Sequence, residues 1–144
     1  MADVSKTVEF LHRVPLFRGL KKRQLQQLAQ KFVQRDYPAG QAIVTQGKGG
    51  EGFFIIESGG AEVIRERADG EKVVVNAFGP TDFFGELALL DDGLRTASVV
   101  ATEATQCLVL TRWDFMGVLK EDVDMAITIL EELAKRFRRA LDRL

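Results

Sequence analysis

The sequence predicts a mainly β protein, a sandwich or jelly roll of about eight short strands, with helices at both ends. Three observations carry this expectation. Apolar residues recur at helical spacing before residue 34 and after residue 112. Between those limits the pattern changes to short apolar runs separated by turn residues at regular intervals. The chain has 144 residues, 46% apolar and 28% charged, which suits one globular domain with a real core.

Residues 1–33 read as helical. Val8, Leu11, Leu16, Phe17 and Leu20 supply apolar contacts, interrupted at Pro15 and Gly19, and Leu25, Leu28, Ala29 and Phe32 then step by three and four. Tyr37-Pro38-Ala39-Gly40 is a turn, 42–46 a short strand, and GKGGEG at 47–52 a glycine-rich connection. A strongly apolar strand follows at 53–57. Segments 61–67 and 72–78 flank Asp69-Gly70, a hairpin signal. Segments 96–101 and 106–112 form a last expected pair around 102–105. The helical period returns at Trp113, with a helix start near Phe115. A longer helix follows, with a stripe of Val123, Ala126, Leu130, Leu133, Phe137, Ala140 and Leu144. Glu131–Lys135 and Glu132–Arg136 are spaced as favourable i,i+4 pairs. We therefore expect a single domain, 1–144, made of N-terminal helices (1–33), a β-roll (34–112) and C-terminal helices (113–144).

Composition removes several function classes. A net charge of −1 leaves no basic footprint, so direct nucleic-acid binding is not expected. Lys135, Arg136, Arg138 and Arg139 read as a helix end favoured by its dipole. Cys107 is the sole cysteine and alternates with Val109, which reads as a small buried hydrophobe. His12 is the sole histidine, too few for a multi-histidine metal site, and it lies in the N-terminal helical region, where no serine triad with it suggests itself. Asp91-Asp92-Gly93 lacks a calcium-binding ladder, and GKGGEG lacks the Walker spacing. The N-terminus, MADVSKTVEFLHRV, has no apolar signal region, and no apolar run reaches the ~18 residues of a membrane span. The expectation is a cytoplasmic protein without catalytic residues, metal, cofactor or membrane contact.

The segment FFGELALLDDGLRTASVV, 83–100, is different. Gly85-Glu86-Leu87-Ala88-Leu89-Leu90 can begin a short helix directly after a strand. A helix start presents unpaired N–H groups and positive partial charge, and a glycine before it lets an anion approach the backbone. That makes a phosphate cradle. Arg95, one loop away, can cap the same phosphate with its planar fork. Glu86 suits a sugar hydroxyl or can orient Arg95. An internal Glu86–Arg95 ion pair that holds a loop shut fits the spacing equally well.

FGELALLDDGLRTASV closely resembles the phosphate-binding cassette of the cyclic nucleotide-binding domain family. VPLFRGLKKRQLQQLAQKF resembles that family's entry helices, and YPAGQAIVTQGKGGEGFFIIESGGAEV its first strands, with Gly40, Gly47 and Gly59 in familiar places. The resemblance implies an eight-stranded β-roll (jelly roll) with N-terminal helices and a C-terminal helix, and a ligand that is cAMP or cGMP. It implies that the backbone around Gly85, Leu87 and Ala88 holds the cyclic phosphate. Glu86 would accept from the ribose 2′-hydroxyl, Arg95 would pair with the exocyclic oxygens, and Ala97 would donate its N–H. Thr96 resembles members that also bond a guanine amino group, and Val75 is placed by strand position to line the base.

Two positions depart from the family pattern: Leu94 stands where proline is common, and Thr81 where glycine is usual. Family members couple binding to movement of the C-terminal helix, so Leu133 or Phe137 is a candidate lid over the base. The same stripe can instead pack statically, or seam two chains into a homodimer as a short coiled coil. The expected partners are a cyclic nucleotide and an unknown protein partner or parent effector domain, for a module that is either stand-alone or excised.

Overall fold

The computed structural model describes residues 4–49, 52–91 and 93–144. Gly50 and Glu51 of the glycine-rich loop, and Asp92 of the cassette loop, lie outside the described residues, as do residues 1–3. The chain divides into two compact units. One is Val33–Arg112; the other joins the residues up to Phe32 to Trp113–Leu144.

The first unit is an eight-stranded β-roll. Its strands are β1 (Val33–Tyr37), β2 (Ala42–Val44), β3 (Gly52–Ser58), β4 (Ala61–Glu66), β5 (Lys72–Phe78), β6 (Phe83–Phe84), β7 (Ser98–Ala101) and β8 (Thr105–Thr111). They form two four-stranded sheets, ordered β1-β8-β3-β6 and β2-β7-β4-β5, in which every pairing is antiparallel. Alternation along each strand decides which side chains enter the roll. Phe54 and Ile56 of β3 lie opposite Val109 and Cys107 of β8. With Val44, Ala61, Phe84, Val99 and Ala101 they form one buried cluster. Phe84 stacks on both Phe54 and Phe78, with ring centroids 5.0 and 5.3 Å apart. Cys107 lies inside this cluster. Burial, reinforced by the nearby Glu57 carboxylate, pushes its thiol up to about 12, which leaves it unreactive.

The hairpin expected around Asp69-Gly70 is present: β4 and β5 pair from Ala61↔Phe78 to Glu66↔Lys72, with a bulge that leaves Val75 unopposed. The last expected pair is not. Strands β7 and β8 are consecutive in sequence but sit in different sheets, β7 between β2 and β4, β8 between β1 and β3. Residues 102–104 form a corner rather than a hairpin turn. Thr102 N–H donates to the Gly60 carbonyl at 2.9 Å. The buried Thr105 hydroxyl donates to the same oxygen at 3.0 Å and accepts from Gly60 N–H at 3.2 Å. These bonds satisfy backbone groups that a hairpin ladder would otherwise have used.

The turn that leads into β6 explains the Thr81 departure. Asp82 N–H donates to the Gly79 carbonyl at 3.1 Å, and Pro80 and Thr81 are the two central residues. Thr81 has φ +76°, the conformation that the third position of a type II turn requires and that glycine supplies without strain. A β-branched residue there is unfavourable by ~1–2 kcal/mol, partly offset by the greater freedom that glycine has when unfolded. We expect Thr81→Gly to stabilise the protein by about 0.5–1 kcal/mol, a rise in melting temperature of about 1–4 °C. Differential scanning calorimetry checks this, and a fall would mean that the threonine side chain contributes more than its backbone costs.

The second unit holds α1 (Val4–His12), a 3-10 turn (Pro15–Phe17), α2 (Lys22–Ala29), α3 (Arg112–Glu121, from Trp113 on) and α4 (Val123–Asp142). Asp122 caps α4: its Oδ1 accepts from Met125 N–H at 3.0 Å, and its Oδ2 lies 3.8 Å from Arg23 of α2. Phe17 and Phe115 pack with centroids 6.1 Å apart. The face of α4 that is buried carries Met125, Ile129 and Glu132, the last 3.9 Å from Arg139. The stripe read from the sequence is not that face. Val123, Leu130, Phe137 and Leu144 are exposed, and Leu133 is half-buried, so static packing is not the role of the stripe as a whole. Among the described residues, no helix is long and apolar enough to cross a membrane.

Candidate functional site

The cassette is built on a sharp change of backbone direction. Strand β6 ends at Phe84, buried between the sheets, and Gly85 then turns the chain with φ +87° into a 3-10 turn at Glu86–Leu89. The sequence led us to expect a helix start at this point. The element is shorter and tighter, closed by Ala88 N–H to the Gly85 carbonyl at 3.0 Å. Its opening N–H groups still precede any intrahelical acceptor, so the turn keeps the donors that a phosphate cradle needs. Ala88 and Leu89 are buried and anchor it, while Leu87 is exposed.

Arg95 comes to the same place from the other side of the loop. Its Nη2 donates to the carbonyl oxygen of Gly52, at the start of β3, at 2.7 Å. Gly85 is where the two meet. A Cβ built on Gly85 would stand 2.6 Å from the Gly52 oxygen and 2.7 Å from Arg95 Nη1. Glycine is therefore required here twice over, by its backbone angle and by the guanidinium laid against it. The backbone of Arg95 is fixed as well. Its N–H donates to the Lys48 carbonyl at 2.9 Å and its carbonyl accepts from Gly47 N–H at 2.8 Å, beside a Gly49–Leu94 bridge. The described part of the glycine-rich loop is thus tied to the cassette, not a free connection.

These elements form an open cleft with a volume of about 380 Å³, lined by Gly85, Glu86, Leu87, Ala88, Asp91, Gly93, Leu94, Arg95 and Thr96. Six of the seven expected ligand-contacting residues line it together. The seventh, Ala97, is half-buried on the way to β7 and is outside that lining. Val75 is exposed on β5 and does not line it. Leu133 and Phe137 lie on α4, in the other unit. Asp91 and Gly52 were not expected at the site. Asp91 was discoverable from its place between the turn and Arg95. Gly52 was not, because its contribution is a carbonyl 43 residues from Arg95.

Comparison with known proteins places this geometry. The family model for the cyclic nucleotide-binding domain matches residues 34–122. The cyclic AMP receptor protein of Thermus thermophilus is 35% identical over 126 residues, covering 88% of this chain and 58% of that protein. The cAMP-dependent protein kinase regulatory subunit of Aspergillus fumigatus is 40% identical over 110 residues, covering 76% of this chain and 26% of that protein. Among solved structures, the N-terminal domain of a transcriptional regulator from Streptomyces coelicolor superposes with a TM-score of 0.85 at 27% identity, covering 94% of each chain. This chain belongs to the cyclic nucleotide-binding domain family. It spans only part of the length of the two curated relatives.

Proposed function

We propose that this chain is a non-catalytic regulatory module that binds cAMP in the cassette cavity. The observation that carries this reading is the meeting of Gly85, Glu86, Ala88 and Arg95 around one cavity, in a chain similar to a cyclic AMP receptor protein and to the regulatory subunit of a cAMP-dependent protein kinase. Its volume lies within the ~300–1,000 Å³ usual for small-molecule sites. In this reading the cyclic phosphate sits on the N–H groups that open the 3-10 turn. Arg95 neutralises it, and Glu86 accepts from the ribose 2′-hydroxyl. The N–H of Ala97 is a further donor that the ligand recruits at the edge of the cavity. The exposed hydroxyl of Thr96 lets cGMP bind as well. Val75, left unopposed by the bulge, offers an apolar contact to the base. Binding is read out through α4, with Leu133 or Phe137 as the lid, by an effector that is either a separate protein or further chain. Isothermal calorimetry with cAMP and cGMP tests the reading: one site per chain supports it, and no heat or thermal shift with either nucleotide contradicts it.

A second reading concerns assembly, and one observation favours it. Val123, Ile127, Leu130, Phe137 and Leu141 are all exposed, and with Ala134 they step by four and three along α4; Leu144, also exposed, continues the spacing beyond the helix end. That spacing is the seam of a two-stranded coiled coil. The occupant it fits is α4 of a second copy. Light scattering should give twice the chain mass of 16.1 kDa, and Leu130→Glu with Phe137→Glu should return it to the monomer value. A monomeric wild type would reject the seam. A dimer that binds no nucleotide would make interaction, not sensing, the function of the fold.

A further inference from the structure

We propose that Asp91 makes the cavity discriminate by ligand charge, favouring a singly charged cyclic phosphodiester over the doubly charged phosphate of a ring-opened nucleoside monophosphate. The inference rests on the cyclic nucleotide reading and adds a residue that the reading does not use. Among the described lining residues, the cavity carries two carboxylates, Glu86 and Asp91, and one guanidinium, Arg95. Glu86 has a part in the proposed complex, as acceptor for a sugar hydroxyl. Asp91 has none: it is a fixed negative charge on the wall of an anion site.

The position of that charge is not accidental to the loop. Asp91 Oδ1 accepts from Gly93 N–H at 3.0 Å, a side-chain turn that holds the carboxylate in the bend between the 3-10 turn and Arg95. The turn needs only an oxygen acceptor two residues back. Asparagine supplies the same acceptor without the charge, so the loop does not require an acid here. The charge is thus free of the loop's own needs, and it stands on the cavity wall.

A cyclic phosphodiester carries one negative charge, which Arg95 matches. A phosphate monoester carries close to two at neutral pH, because its second pKa is about 6. The second charge meets no second guanidinium among the described lining residues. The repulsion from Asp91 grows in proportion to ligand charge. If it weakens the monoanion by some factor, it weakens the dianion by about the square of that factor. Asp91 is exposed, so salt screens the effect.

The test compares wild type and Asp91→Asn, titrated with cAMP and, by competition, with 5′-AMP, at low and at high salt. At low salt the substitution should tighten cAMP about two- to threefold and 5′-AMP about four- to tenfold, so the preference for the cyclic ligand narrows. High salt should shrink both gains. Equal factors for the two ligands would show a change in loop shape rather than charge selection, and would overturn the proposal. So would affinities that do not move. A wild type that binds neither nucleotide would reject the underlying reading, whereas cAMP binding with an unchanged preference would reject only the role of Asp91. An unchanged melting temperature of Asp91→Asn confirms that the side-chain turn survives.

Discussion

Replacing Arg95 by alanine should weaken cAMP binding by about 30-fold to a few thousand-fold, while the β-roll remains folded. The range corresponds to ~2–5 kcal/mol, the effect of truncating one partner of a buried, hydrogen-bonded charge pair. Two losses add up. The phosphate loses its only guanidinium among the described lining residues, and the Gly52 carbonyl loses a charged donor at 2.7 Å. The second loss acts without ligand, so a fall in stability of about 1–2 kcal/mol should accompany the variant. Arg95→Lys separates the two losses. It keeps the charge but not the fork, and should bind between wild type and alanine. Calorimetry gives the affinities and circular dichroism the fold. An alanine variant that bound cAMP as wild type does would show that Arg95 does not hold the phosphate.

Gly85→Ala should have the second large effect, and it should damage stability and binding together. The backbone at φ +87° costs an L-residue ~1–2 kcal/mol by itself. The new methyl would also stand 2.6 Å from a backbone oxygen, which yields less readily than a side chain, and 2.7 Å from Arg95 Nη1. Relief requires the turn to move away from β3 or Arg95 to leave its place, and either movement takes apart the cradle. We expect a loss of about 2–4 kcal/mol in urea unfolding, within the range of severe backbone strain and overpacking. cAMP affinity should fall at least as far as in Arg95→Ala. Wild-type stability would show that the turn is looser than its angles imply.

Much of the β-roll was legible because its signals are local. Asp69-Gly70 between alternating runs marks a hairpin, and β4 and β5 do pair there; the register was not given by the dipeptide, because the loop is one residue longer, with Gly70 left-handed. The corner at 102–104 was not legible. Two strands joined by a short link look like a hairpin unless the partner of each is known, and the deciding bonds come from Gly60, over 40 residues away. Static packing of the α4 stripe fails for a related reason. A helix with apolar residues on more than one face has a period but not an address, and the buried face proved to hold Met125, Ile129 and the charged Glu132. At the site, the residues contiguous with Gly85 and Arg95 could be read from spacing and from resemblance. The Gly52 carbonyl and the ties to Gly47 and Lys48 could not, since any residue type offers a backbone oxygen. Thr81 is an instructive middle case. The sequence showed only that glycine was missing, and the fold shows the positive φ that makes its absence costly.

A crystal structure of the protein grown with saturating cAMP decides between these possibilities at the atoms concerned. We expect the cyclic phosphate within hydrogen-bond distance of the Arg95 guanidinium and of the N–H groups that open the 3-10 turn, with the ribose 2′-hydroxyl on Glu86. Nucleotide bound elsewhere, or a cassette cavity holding only solvent at saturating cAMP, would refute cAMP binding at the cassette.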